Sequence, residues 1–228
     1  MQVSIRHNPS FAVARCTLAG GETVRAESGA MMATSDGVDV QAQMQGGLMK
    51  SLKRSVLGGE SLFVTTFAAP AQGGWVDVAA NLPGDIVTVT VAPDRAFYIT
   101  RGCWIANAHG VDMQTRWGGS QNLFGGEGGF VLQATGQGEV VLGSYGAVDT
   151  LDLGPGEAVT IDSGHVVAYD AGVQSRLRRA VEGRSVQSLK SGEGFVFDFS
   201  GPGRVMIQTR SLRALIDWLT TELPFSRN

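Results

Sequence analysis

Histidine and cysteine are scarce in this chain: His7, His109 and His165, and Cys16 and Cys103, are all it has in 228 residues. Zinc and cupin-type centres need clustered His, Cys or carboxylate ligands. No histidine here lies within four residues of another, so no metal and no cofactor is expected. The two cysteines have no second pair nearby, which fits buried thiols of a reducing compartment rather than a disulfide framework. Long apolar runs are missing too. No window reaches the roughly 18 to 20 apolar residues of a spanning helix, and the opening MQVSIRHNPSFAV has no basic segment ahead of an apolar one. A cytoplasmic protein is expected. Catalytic signatures are equally thin. A G-x-S-x-G elbow is absent, GGEGG at 125–129 lacks the Lys-Ser/Thr of a phosphate loop, and SDGVD at 35–39 falls short of a calcium loop. Cys103 with His109 as base is the one nucleophile pairing to weigh. Strand alternation puts both on one face but roughly 20 Å apart at about 3.3 Å per residue, so the chain is read as a non-enzyme. His165, at a turn, is read as solvated or singly bonded.

Glycine is what the chain has in abundance, 32 residues, mostly paired or as G-x-G at the ends of β-branched runs. DIVTVTVA (85–92), GEVVLGSYG (138–146), EAVTID (157–162) and RVMIQT (204–209) alternate as strands do. One helix is predicted, at the end. SLRALIDWLTTELPF places Leu212, Leu215, Ile216, Leu219 and Leu223 on one face, with Ser211 to cap it and Pro224 to stop it.

Three landmarks recur along the chain. Gly59-Glu60, Gly126-Glu127 and Gly192-Glu193 are followed by Phe63, Phe130 and Phe195, with the acids spaced 67 and 66 residues apart. Gly74, Gly138 and Gly203 each open a strand, 64 and 65 apart. A leucine ahead of a Gly-acid pair occurs at Leu18 with Gly21-Glu22, Leu82 with Gly84-Asp85 and Leu153 with Gly156-Glu157, where the spacing drifts to 63 and 72. The expected architecture is all-β: three sandwich-like units, with repeats at 1–70, 71–135 (strands continuing to about 146) and 147–210, then a helix and tail at 211–228. The recurring Gly-Glu pairs are read as structural turns, in which the acid accepts from free backbone amides.

MQGGLMKSLKRSVLGGESLFVTTFAA (44–69), FYITRGCWIAN (97–107) and GEGFVFDFSGPGRVMIQTRSL (192–212) closely resemble a bacterial family that also includes a mitochondrial inner-membrane biogenesis protein of the "altered inheritance of mitochondria" type. LKRSVLGGESLF is its most specific block. The resemblance covers essentially the whole chain. It implies a double-stranded β-helix-like fold, similar to the tryptophan RNA-binding attenuator protein but triplicated in one chain, and a homo-oligomer, with a trimer favoured. It brings no catalytic residues.

Charge is unevenly placed. Segments 45–57, 114–123 and 174–190 hold Lys50, Lys53, Arg54, Arg116, Arg176, Arg178, Arg179, Arg184 and Lys190 against Glu182 alone, in a chain of net charge −3. A threefold repeat would gather them into a basic rim suited to a polyanion, although solvated loops would look the same. RNA readers interleave stacking aromatics, and only Trp117 qualifies here; with three lysines and a pI of about 5.6, a nucleic-acid partner is not expected. Leu48, Met49 and Leu52 lie among the cations, and a helical 48–57 would set Met49, Leu52 and Val56 on one face, an interfacial pattern that a core-packed crossover would share. The function expected is that of an oligomeric scaffold or binding protein, docking through these segments to anionic lipid or a membrane-associated partner, peripheral to an inner membrane. Ligand or RNA sensing in the manner of the attenuator protein is the alternative. Exposed sheet edges and the terminal helix with Trp218 are the expected interfaces.

Overall fold

The computed structural model describes residues 1–44, 63–117, 130–180 and 194–223. Among the described residues the alternating stretches become nineteen strands, and helix α1 (Leu212–Glu222) follows them. An N-terminal strand, β1 (Gln2–Arg6), precedes three blocks of six. The first block is β2 (Val13–Leu18), β3 (Thr23–Glu27), β4 (Met31–Thr34), β5 (Asp39–Met44), β6 (Phe63–Ala68) and β7 (Gly74–Ala79). The second is β8 (Ile86–Val91), β9 (Phe97–Thr100), β10 (Trp104–Ala108), β11 (Val111–Trp117), β12 (Phe130–Gly136) and β13 (Gly138–Gly143). The third is β14 (Val148–Leu153), β15 (Ala158–Asp162), β16 (Val166–Asp170), β17 (Gln174–Arg179), β18 (Phe195–Ser200) and β19 (Gly203–Gln208).

Antiparallel pairing repeats with the blocks. The first strand of each pairs with the sixth, the third with the sixth, the second with the fifth and the fourth with the fifth. Even the irregularity recurs: the register shifts at Met31/Ala33, Trp104/Ala106 and Val166/Ala168. A bulge kept at one place in three copies is part of the unit's design. Each unit thus contributes three strands to one sheet and three to the next. β10 pairs with β3 and β16 with β9, which joins the halves into the six-stranded sheets β5-β6-β3-β10-β13-β8 and β11-β12-β9-β16-β19-β14. A four-stranded half-sheet, β1-β2-β7-β4, and a three-stranded one, β15-β18-β17, remain.

Three apolar cores lie between successive sheets. A strand between two cores is apolar on both faces. In β13, Val140 and Leu142 enter one core and Val141 the other, all fully buried. Trp104 is buried in the central core, where its indole N–H donates to Asn107 Oδ1 at 3.1 Å and the Asn107 amide donates to the carbonyls of Ala108 and Val111. A buried amide fully engaged in this way carries no desolvation debt.

Two sequence readings shift in detail. The strand opened by Gly74 folds back on β2 and β4, so it belongs with the first unit although the expected boundary lies at 70; β13 falls within the strands expected to continue to about 146. The Leu-Gly-acid landmark also mixes two places. Leu18 and Leu153 stand opposite Gly74 and Gly203, and the residue opposite Gly138 is Val91, not Leu82. Glu22 and Glu157 share a role, each accepting from a backbone N–H three residues earlier, Ala19 at 2.9 Å and Gly154 at 2.7 Å. Gly84-Asp85 instead belongs to the link between units, where the Asp85 N–H donates to the Gly146 carbonyl at 2.9 Å. The drift in spacing marked this mismatch.

Helix α1 is built as its sequence predicts: Ser211 Oγ accepts from the Ala214 N–H, and none of its residues is buried. Its apolar side chains Leu212, Ile216 and Trp218 stand exposed.

Candidate functional site

The described basic candidates, Arg116, Arg176, Arg178 and Arg179, fall on one repeated feature, the paired fourth and fifth strands of a unit. β5, β11 and β17 each form the end of a sheet, and each runs into one of the segments 45–62, 118–129 and 181–193. Pairing aligns these stems residue by residue. Gln43, Arg116 and Arg178 stand opposite Val64, Val131 and Val196, and Met44, Trp117 and Arg179 opposite Phe63, Phe130 and Phe195. The phenylalanine landmark therefore marks the first residue of the returning strand, and the valine after it is buried in all three units. Asp112 and Gln114 repeat a contact of Asp39 and Gln41, the amide donating to the carboxylate at 2.7 Å in both.

Arg116 and Arg178, at equivalent register, are both engaged. Arg116 Nε donates to Gln133 Oε1 at 2.9 Å. Arg178 holds Asp198 with two bonds, at 2.6 and 3.0 Å, and Thr160 donates to the same carboxylate at 2.7 Å. These bonds, Arg178 first, hold the Asp198 carboxyl below its ordinary range, with Arg176 adding to the field. Part of the charge on this stem is thus neutralised by its own sheet, and Arg176 and Arg179 point outward as exposed side chains. The remaining candidates, Leu48, Met49, Lys50, Leu52, Lys53, Arg54, Arg184 and Lys190, with the turn residues Gly59, Glu60, Gly126, Glu127, Gly192 and Glu193, lie outside the described residues.

Neither cysteine sits in a nucleophile's environment. Both are buried, and burial pushes each thiol up to about 12. Cys103 belongs to the central core while His109 is exposed in the turn after β10. His165 makes one hydrogen bond, its Nδ1 donating to the Gln208 carbonyl at 2.7 Å. Among the described residues no group of three or more His, Cys, Asp or Glu could hold a metal ion, and no helix is long and apolar enough to cross a membrane.

A feature that strand alternation did not reveal is the polar cluster on the first half-sheet. Asp77, on β7, is buried and receives both Arg15 (2.8 and 2.9 Å) and Arg6 (3.3 and 2.6 Å), while the Arg15 guanidinium lies 3.8 Å over the Trp75 ring. The hydrogen bonds of Arg15 and then Arg6 outweigh burial and hold the Asp77 carboxyl at about 2. Its register equivalents, Val141 and Met206, are core residues. Aligning the units strand by strand would have exposed this departure.

A profile of the family described as mitochondrial biogenesis AIM24 matches residues 3–210. An uncharacterized protein of Streptococcus pyogenes serotype M6 is 29% identical over 236 residues, which span 100% of this chain and 93% of that protein. The crystal structure of a Streptococcus pyogenes protein superposes with a TM-score of 0.82 at 27% identity, covering 97% of this chain and 99% of that one.

Proposed function

The chain belongs to the mitochondrial biogenesis AIM24 family, and from this premise we propose that it is a non-enzymatic scaffold that assembles with copies of itself, a trimer being the favoured state, and docks on an anionic membrane surface. The observation that carries the reading is the repeated stem, whose outermost strands β11 and β17 carry Arg116 and, beside the ion-paired Arg178, the exposed Arg176 and Arg179. The first stem continues into a segment that holds Lys50, Lys53 and Arg54 against Glu60, and the third into one that holds Arg184 and Lys190 against Glu182 and Glu193. Cations presented at several points of one rigid body add their attraction for an anionic leaflet, about 1 kcal/mol per Lys or Arg near the surface. Thiols held at about 12 and a lone, singly bonded His165 favour binding over catalysis. The docking is peripheral, at an inner membrane.

Light scattering with and without vesicles tests it. Wild-type protein is expected to bind vesicles containing anionic lipid and to ignore neutral ones. K50E/K53E/R54E and R116E are expected to keep the solution mass and lose vesicle binding. Equal binding to both vesicle types, or none to either, would remove the lipid reading.

A further inference from the structure

Two of the four sheets among the described residues are smaller than the others, one of four strands and one of three. Wherever two units meet inside the chain, the third strand of the later unit pairs with the second strand of the earlier one: Asn107 of β10 opposite Arg25 of β3, and Tyr169 of β16 opposite Tyr98 of β9. Only two such junctions exist among three units. The third strand of the first unit, β4, and the second strand of the last unit, β15, stand at the open ends of their sheets, and among the described residues neither pairs with the other. Joined, they would give the order β1-β2-β7-β4-β15-β18-β17, whose last six strands reproduce both complete sheets.

We propose that β4 of one copy adds to β15 of a second copy, head to tail, with Thr34 opposite Thr160 and Ala33 opposite Ile161. The proposal rests on the self-assembly in the function proposed above and names the surfaces that carry it. The register follows from the shared bulge, which makes Ala33 the equivalent of Ala106 and Ala168. Burial marks the same site. Met31 and Met32 are 43% and 54% exposed, whereas their equivalents Trp104 and Ile105 are both 2% exposed, and Val166 and Val167 2% and 0%. On the other side, Val159 of β15 is half-exposed where its equivalents Val24 and Phe97 are buried. Neither edge carries the lysine or proline with which monomeric proteins block strand addition. The bulge in β4 offers no protection, since β10 and β16 have it and are paired on both sides. Because the two edges differ, the contact is heterologous and propagates until the rotation closes a ring.

Cysteine crosslinking tests the register directly, since Cys16 and Cys103 are buried. Purified T34C and T160C are mixed, oxidised with copper phenanthroline, and run without reductant. A covalent pair in the mixture, absent from each variant alone, and a ladder of copies from the T34C/T160C double variant, are expected; T34C with A158C, two residues out of register, should yield several-fold less. A double variant that closes only within its own chain would overturn the proposal, as would an uncrosslinked mixture whose light scattering still shows an oligomer. In that last case self-assembly stands and these edges are not its surface. A protein monomeric at every concentration would overturn both. M32K adds a second readout: Met32 is exposed in the single chain, so unchanged circular dichroism with a drop to monomer mass is expected, and full oligomer mass would contradict the pairing.

Discussion

At the scale of single residues, Asp77 shows most plainly how the first unit differs from its copies. It stands where Val141 and Met206 fill cores, and it is tolerated there because Arg15 and Arg6 take all of its hydrogen-bonding capacity. A carboxylate held below its unfolded value stabilises the fold fully above about pH 4, and that contribution is lost as pH falls through the folded value of about 2. D77N is therefore expected to lose roughly 1.5–3 kcal/mol in urea unfolding at pH 7, the range for hydrogen bonds to charged groups. The gap between variant and wild type should close between pH 4 and 2; a gap independent of pH would refute the charge-based account. The cysteines allow a simpler check. Thiols at about 12 are almost wholly protonated at pH 8, and reaction with a disulfide reagent needs the thiolate. Neither cysteine is expected to react in the native protein, and both should react in denaturant.

At the scale of elements, strands were legible because a half-buried strand writes its own period, and the helix because its cap and apolar stripe are local. What each element packs against was not. The stripe of α1 is present as predicted, yet it buries no residue in the single chain. Deleting residues 212–228 is expected to change monomer unfolding by less than about 1 kcal/mol, because stability tracks apolar area removed from water; a larger loss would mean that α1 is held against the sheets. Gly84 is the opposite case, a link residue that the repeat reading assigned to a turn landmark. A Cβ there would lie 1.9 Å from the Ser144 carbonyl oxygen, where the link bridges to Gly146. G84A is expected to cost roughly 1–3 kcal/mol, as overpacking does, and to lower the thermal midpoint measurably. A wild-type midpoint would show that the two links approach less closely than this.

At the scale of the whole molecule, the described residues form two six-stranded sheets and two smaller ones, in which β4 and β15 stand at sheet ends. An assembly that covers both open edges adds burial that a lone chain lacks, so the thermal midpoint of the wild type is expected to rise with protein concentration while that of M32K stays flat. A concentration-independent wild type would tie its stability to the single chain alone. The sequence by itself determined the all-β class, the terminal helix, the threefold repetition, its returning-strand phenylalanines and the family, since alternation, turn chemistry and spacing are written in neighbouring residues. Only the tertiary structure decided where each unit ends, which unit shares a sheet with which, that Asp77 is held by two arginines, and that Met31 and Met32 are left uncovered. The physical reason is that strand alternation specifies a face and not a partner: the pairings that join β10 to β3 or β16 to β9 link residues 69 to 84 positions apart, and nothing in either strand alone names the other.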